Sequence, residues 1–122
     1  KELKRLIYQR TVEQGLNCNL NDIDVSKIDD MSFLFTDSKF NGDISSWDVS
    51  KVKDMSFMFE GSNFNGDISS WNVSSVTNMS YMFSWSKFNG DISSWDVSNV
   101  EDMRCIFINS PLSGNKPKWY RP

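Results

Sequence analysis

A 24-residue period runs through most of this chain and constrains everything else about it. Residues 40–59 read FNGDISSWDVSKVKDMSFMF, residues 64–83 FNGDISSWNVSSVTNMSYMF, and residues 88–107 FNGDISSWDVSNVEDMRCIF; the first two agree at 15 of 20 positions. A divergent earlier copy keeps the frame. In it Leu16, Leu20, Ile23, Val25, Ile28, Met31 and Phe35 stand where Phe40, Ile44, Trp47, Val49, Val52, Met55 and Phe59 stand in the next. One copy cannot bury its own apolar residues, but four stacked copies can, each apolar position lying on its equivalent.

The apolar spacing predicts the content of each copy. The order Ile92, Trp95, Val97 resembles the L-x-x-L-x-L core of a leucine-rich repeat. Alternation over Trp95, Asp96, Val97 and Ser98 suits a short strand with Trp and Val inward. The spacing of Val76, Met79, Met82 and Phe83 then suits one short inward-packing helix. The expected fold is therefore an α/β repeat: a leucine-rich-repeat-like solenoid of four rungs over residues 16–107, each a short strand plus a short helix. The flanks differ. Residues 1–15 carry Leu3, Ile7, Tyr8 and Val12 at helical spacing, with Gly15 placed to end a helical N-cap. Residues 108–122, rich in Pro, Gly, Ser and Asn, are expected to form an irregular C-cap in which Leu112, Trp119 and Tyr120 cover the last rung. Residues 1–122 form a single domain on this reading.

Composition excludes several functions. The chain has no His, which removes the usual imidazole acid–base chemistry, Ser-His-Asp and Cys-His nucleophiles, and most zinc sites. A net charge of −3 argues against binding nucleic acid. That charge is uneven: +2 over residues 1–15, −8 over 16–110 and +3 over 111–122. No apolar run approaches the ~18 residues of a membrane span, so no membrane insertion is expected. The chain opens on Lys1 without a signal segment and reads as a mature or trimmed piece. Cys18 and Cys105 fall on different parts of the repeat and are expected to be free thiols. An enzyme is not expected, and neither a cofactor nor a resident metal.

The candidate binding residues are those that folding alone does not explain. If Trp and Val face inward, Asp24, Asp48, Asn72 and Asp96 face outward, with Ser26, Ser50, Ser74 and Ser98 beyond them. Stacked at about 4.8 Å, such carboxylates repel and tend to raise one another's pKa. The face is then solvated, or binds a protein or a glycan, or least readily holds calcium, which needs 6–8 oxygens. Asn41-Gly42-Asp43 and its equivalents read as turns in which Gly permits φ > 0. Asp30, Asp54, Asn78 and Asp102 read as caps of the short helices. Trp85 replaces Asp37, Gly61 and Asn109 and is expected near the surface, where Trp is enriched at interfaces. Trp47, Trp71 and Trp95 read as core.

The units FNGDISSWDVSNVEDM and FNGDISSWDVSKVKDMSFMF resemble leucine-rich-repeat-like repeats of bacterial surface proteins, found in mycoplasma-type and Listeria-type lipoproteins and filed as a domain of unknown function. The opening KELKRLIYQRTVEQG and the ending SPLSGNKPKWY are similar to that family's caps. The resemblance implies an extracellular or cell-surface module without catalytic residues. The expected function is non-catalytic binding or adhesion through a protein or glycan partner, by a monomer. The alternatives are a carbohydrate- or calcium-binding module and a ligand-free spacer.

Overall fold

The computed structural model describes residues 2–122. Lys1, at the head of the expected N-cap, lies outside them. Helix α1, Glu2–Gln14, buries Leu3 and Ile7. It ends at Gly15, whose φ of 95° only glycine adopts cheaply and whose N–H returns to the Thr11 carbonyl at 2.9 Å. Arg10 pairs with Asp22 and ties the helix to the first copy. The other helical piece among the described residues is a single 3-10 turn, Pro111–Gly114.

The expected α/β solenoid of strand-and-helix rungs does not form. Between Gly15 and Ser110 there is no helix and no sheet. Among the described residues the only β-pairing between copies is a set of isolated parallel bridges: Asn19 with Asp43, and Asp30, Asp54, Asn78 and Asp102 in a line. Each copy is a circuit of turns, and the reason is local. A five-residue unit, Asp/Asn–apolar–Ser–x–apolar, occurs three times in the second copy: Asp43 to Trp47, Asp48 to Val52 and Asp54 to Met58. In each, the leading Oδ1 accepts the serine N–H two residues on, at 2.9, 3.0 and 2.8 Å. The second apolar residue then donates its N–H to the carbonyl of the first: Trp47 to Ile44 at 3.2 Å, Val52 to Val49 at 3.0 Å, Met58 to Met55 at 3.2 Å. These short-range bonds occupy the groups that a helix or a strand ladder needs. The three-residue apolar spacing that suggests helix is the spacing between the two ends of a β-turn.

Copies join through the last of these turns. The N–H groups of Met31, Phe33, Phe35 and Asp37 donate to the carbonyls of Asp54, Ser56, Met58 and Glu60 at 2.8 to 3.1 Å. The same four bonds recur from Met55, Phe57, Phe59 and Gly61, and again from Met79, Tyr81, Phe83 and Trp85. Aiming alternate N–H groups at the next copy needs left-handed backbone at two places. One is Phe33, Phe57, Tyr81 and Cys105 (φ 62°, 58°, 57° and 54°); the other is Asp37, Gly61, Trp85 and Asn109 (φ 54°, 65°, 57° and 53°).

The apolar turn ends point into one core. Phe35, Phe59, Phe83 and Phe107 stack with ring centroids 5.5, 5.6 and 6.0 Å apart. Trp47, Trp71 and Trp95 stack at 6.5 Å, and each indole N–H donates to a carbonyl of the copy before, those of Leu20, Ile44 and Ile68. Trp119 continues that column at 6.4 Å and donates to Ile92 at 2.8 Å. Leu112, 24 positions after Phe88, is buried as well. The C-terminal segment thus holds the beginning of a fifth copy.

Candidate functional site

Asp48, Asn72 and Asp96 stand on the surface in one column. The structure gives each an occupant already. Asp48 Oδ1 accepts the Ser50 N–H at 3.0 Å and its hydroxyl at 2.6 Å. Asn72 and Asp96 accept the N–H groups of Ser74 and Ser98, each at 3.0 Å. The expected mutual raising of pKa does not prevail. The hydrogen bonds from Ser50 hold the Asp48 carboxyl below its ordinary value, and Asp24 opposes them only weakly. Ser98 does the same for Asp96. Asp67 is lowered by Ser69 against the opposing charges of Asp43 and Asp91. The solved problem in this column is turn geometry, and the second carboxylate oxygen is left to solvent.

The Asn-Gly-Asp residues are not built on positive φ. Gly42, Gly66 and Gly90 lie outside the left-handed region, whereas Gly15 and Gly61 lie within it. They are glycine for room: a Cβ on Gly66 would meet the Phe64 ring at 2.8 Å. Asp54 and Asn78 head turns rather than helices, accepting the N–H groups of Ser56 and Ser80 at 2.8 and 2.9 Å. Cys18 and Cys105 are free thiols, the first buried and the second half-buried. Among the described residues no group of three or more Asp, Glu, Cys or His converges as a metal cage.

Trp85 is the outlier. It is 66% exposed and sits at φ 57°, where the other copies place Asp, Gly and Asn. Left-handed backbone costs an L-residue with a bulky side chain roughly 1–2 kcal/mol, and the Trp85 residue, two-thirds exposed, recovers little of it by burial. A second aromatic feature is not legible as a site in the repeat pattern. Phe33, Phe57 and Tyr81, the third residues of their turns, form an outer ladder with centroids 4.7 Å apart and planes within 5°. Phe33, at one end, is 47% exposed. The signal was present in SFLF, SFMF and SYMF, where the first aromatic falls at the outward corner of a turn. Trp85 and the ladder belong to the turn that joins copies, while Asp48, Asn72 and Asp96 head a different turn.

A stacked, turn-built repeat with this motif can be compared directly with known families. The family model described as Mycoplasma protein of unknown function, DUF285, matches residues 1–119. The chain belongs to that family. The match supports the mycoplasma-type part of the resemblance and not its leucine-rich-repeat part, in agreement with a fold that lacks strand and helix rungs. Comparison with curated proteins and with solved structures gives no match. Among the described residues, no helix of this DUF285 chain is long and apolar enough to cross a membrane.

Proposed function

We propose that this DUF285 chain is a non-catalytic binding module displayed at the cell surface, with a protein as its partner. The observation that carries the reading is Trp85, a large aromatic held exposed at a left-handed position where Asp, Gly or Asn serves the other copies. Strain retained with so little packing in return points to use, and Trp is among the side chains enriched at interface hot spots. The outer ladder of Phe33, Phe57 and Tyr81 adds apolar surface on the same inter-copy turns. Asp48, Asn72, Asp96 and the serines Ser50, Ser74 and Ser98 form the second candidate contact, through the second carboxylate oxygens of Asp48 and Asp96 and the Asn72 amide NH2, which their turns leave free.

Immobilised chain screened against a panel of host extracellular-matrix proteins tests this. A protein that binds is retested with Trp85→Asn and with the double variant Asp48→Ser, Asp96→Ser, each checked for folding. Loss of at least tenfold in affinity in the first, or in both, supports the reading. Undiminished binding in both removes the site assignment. Binding to sugars on a glycan array, with none to any protein, replaces the protein partner by a carbohydrate.

A further inference from the structure

We infer that Asn89 is a site of spontaneous modification, its carboxamide passing through a cyclic imide to aspartyl and isoaspartyl products, while the stack holds back the equivalent Asn41 and Asn65. The three Asn-Gly pairs, Asn41-Gly42, Asn65-Gly66 and Asn89-Gly90, stand at one position of the repeat. Packing demands the glycine, because a Cβ there would lie within 2.8 Å of the ring of Phe40, Phe64 or Phe88. The same glycine leaves the nitrogen after each Asn without a side chain beside it, so that nitrogen can reach the Asn Cγ unhindered. Among the described residues none of the three glycine N–H groups has a main-chain acceptor.

What separates the three sites is an asparagine ladder. The Asn41 Oδ1 accepts the Asn65 N–H, and the Asn65 Oδ1 accepts the Asn89 N–H, each at 2.8 Å. Each bond fixes the rotation of a carboxamide and aims it at the next copy, away from the geometry in which the following nitrogen attacks Cγ. Asn89 accepts no such bond. The residue 24 positions on is Ser113, which lies in the 3-10 turn and gives its N–H to Ser110 at 3.0 Å. Exposure does not distinguish the sites, since all three asparagines are exposed. A groove of 630 Å³ along Asn89, Gly90, Asp91, Lys116 and Lys118 admits water to Asn89. There the Gly90 nitrogen attacks Asn89 Cγ, the Cγ–Nδ2 bond breaks, and ammonia leaves with the proton that the nitrogen gives up. Water then opens the imide. Cleavage of the bond from nitrogen to Cγ yields Asp. Cleavage of the bond from nitrogen to the Asn89 main-chain carbonyl yields isoaspartyl, in which the chain runs through Cβ and Cγ. Either product carries a new carboxylate in place of a neutral amide. This inference stands apart from Trp85 and from any partner.

The folded chain is incubated at neutral pH and body temperature, and each site is followed by peptide mapping with mass spectrometry. Synthetic peptides of residues 38–45, 62–69 and 86–93, reading SKFNGDIS, SNFNGDIS and SKFNGDIS, report the intrinsic rates and should react alike. In the folded chain Asn89 should react at least tenfold faster than Asn41 and Asn65. Asn89→Gln, whose longer side chain closes the imide far more slowly, should remove most of the ammonia released. Duplicating residues 88–111 directly after Pro111 supplies a following copy and places Asn89 inside the ladder. With the fold checked by near-UV circular dichroism, Asn89 should then slow to the Asn65 rate, and the last Asn-Gly pair of the longer stack should take over. Should the duplicated chain not fold, the comparison of the three sites decides alone. Equal rates at the three sites, no loss at Asn89 over several half-lives of the peptides, or Asn89 as fast inside the longer stack as at its end overturns the inference. So does faster loss at Asn41 or Asn65, which would mean that the ladder N–H activates the carboxamide it binds.

Discussion

At the scale of single residues, Trp71 and Trp85 show how one amino acid serves opposite ends. Trp71 is 4% exposed, stacks between Trp47 and Trp95, and donates its indole N–H to Ile44. Trp71→Ala should cost roughly 3–5 kcal/mol, the range for emptying a large aromatic site; urea denaturation followed by fluorescence measures it. A loss under 1 kcal/mol would mean the column contributes little. Trp85→Asn should act in the other direction. Asn109 already occupies the equivalent left-handed site, so the variant should gain roughly 1 kcal/mol. A lower melting temperature would show that the Trp85 ring packs usefully where it lies. The burial of the Trp column and the exposure of Trp85 were both legible in the sequence, because periodic identity marks the core and a break in it marks the surface. The role of Gly66 was not: its need for room depends on the Phe64 ring folding back over it, which no local rule specifies.

The turn unit is the element that matters here, and its carboxylates make it sensitive to acid. Asp24, Asp43, Asp48, Asp67, Asp91 and Asp96 are all held below the ordinary value of 3.8, first by the side-chain hydrogen bond from a serine two residues on. A depressed folded pKa means the unfolded chain takes up protons first. Their contribution is therefore complete above pH 3.8 and is lost as pH falls through the lower folded values. Thermal melts between pH 6 and pH 2 should show a steep drop beginning near 4. Replacing these six by Asn should flatten it, since Asn72 makes the same backbone bond without titrating. An unchanged acid limb in that variant would place the acid sensitivity elsewhere. At this scale sequence reasoning failed for an identifiable reason. Spacings of two and three residues among apolar positions serve strands, helices and turns alike. The deciding feature is the Asp/Asn two residues before each Ser, which gives the backbone a local partner before any regular element can form.

At the scale of the whole molecule, stability should follow copy number, because each copy touches only its neighbours. Deleting residues 64–87 joins Asn63 to Phe88 and restores every bond from one copy to the next. That variant should fold, with unchanged near-UV circular dichroism per copy and a lower melting temperature. Deleting half as much, residues 64–75, shifts the register and should abolish cooperative unfolding. Survival of both deletions would show that register is not what holds the stack together.

The sequence alone determined the period, the columns of the core and the helix at the start. Each of these is written in residue identity repeated at a fixed interval. Only the tertiary structure decided that the copies are turns and that Phe33, Phe57 and Tyr81 form an outer ladder. Those facts depend on which carbonyl each N–H meets in the neighbouring copy. That pairing spans 23 residues and is set by how the turns pack together, not by any of them singly.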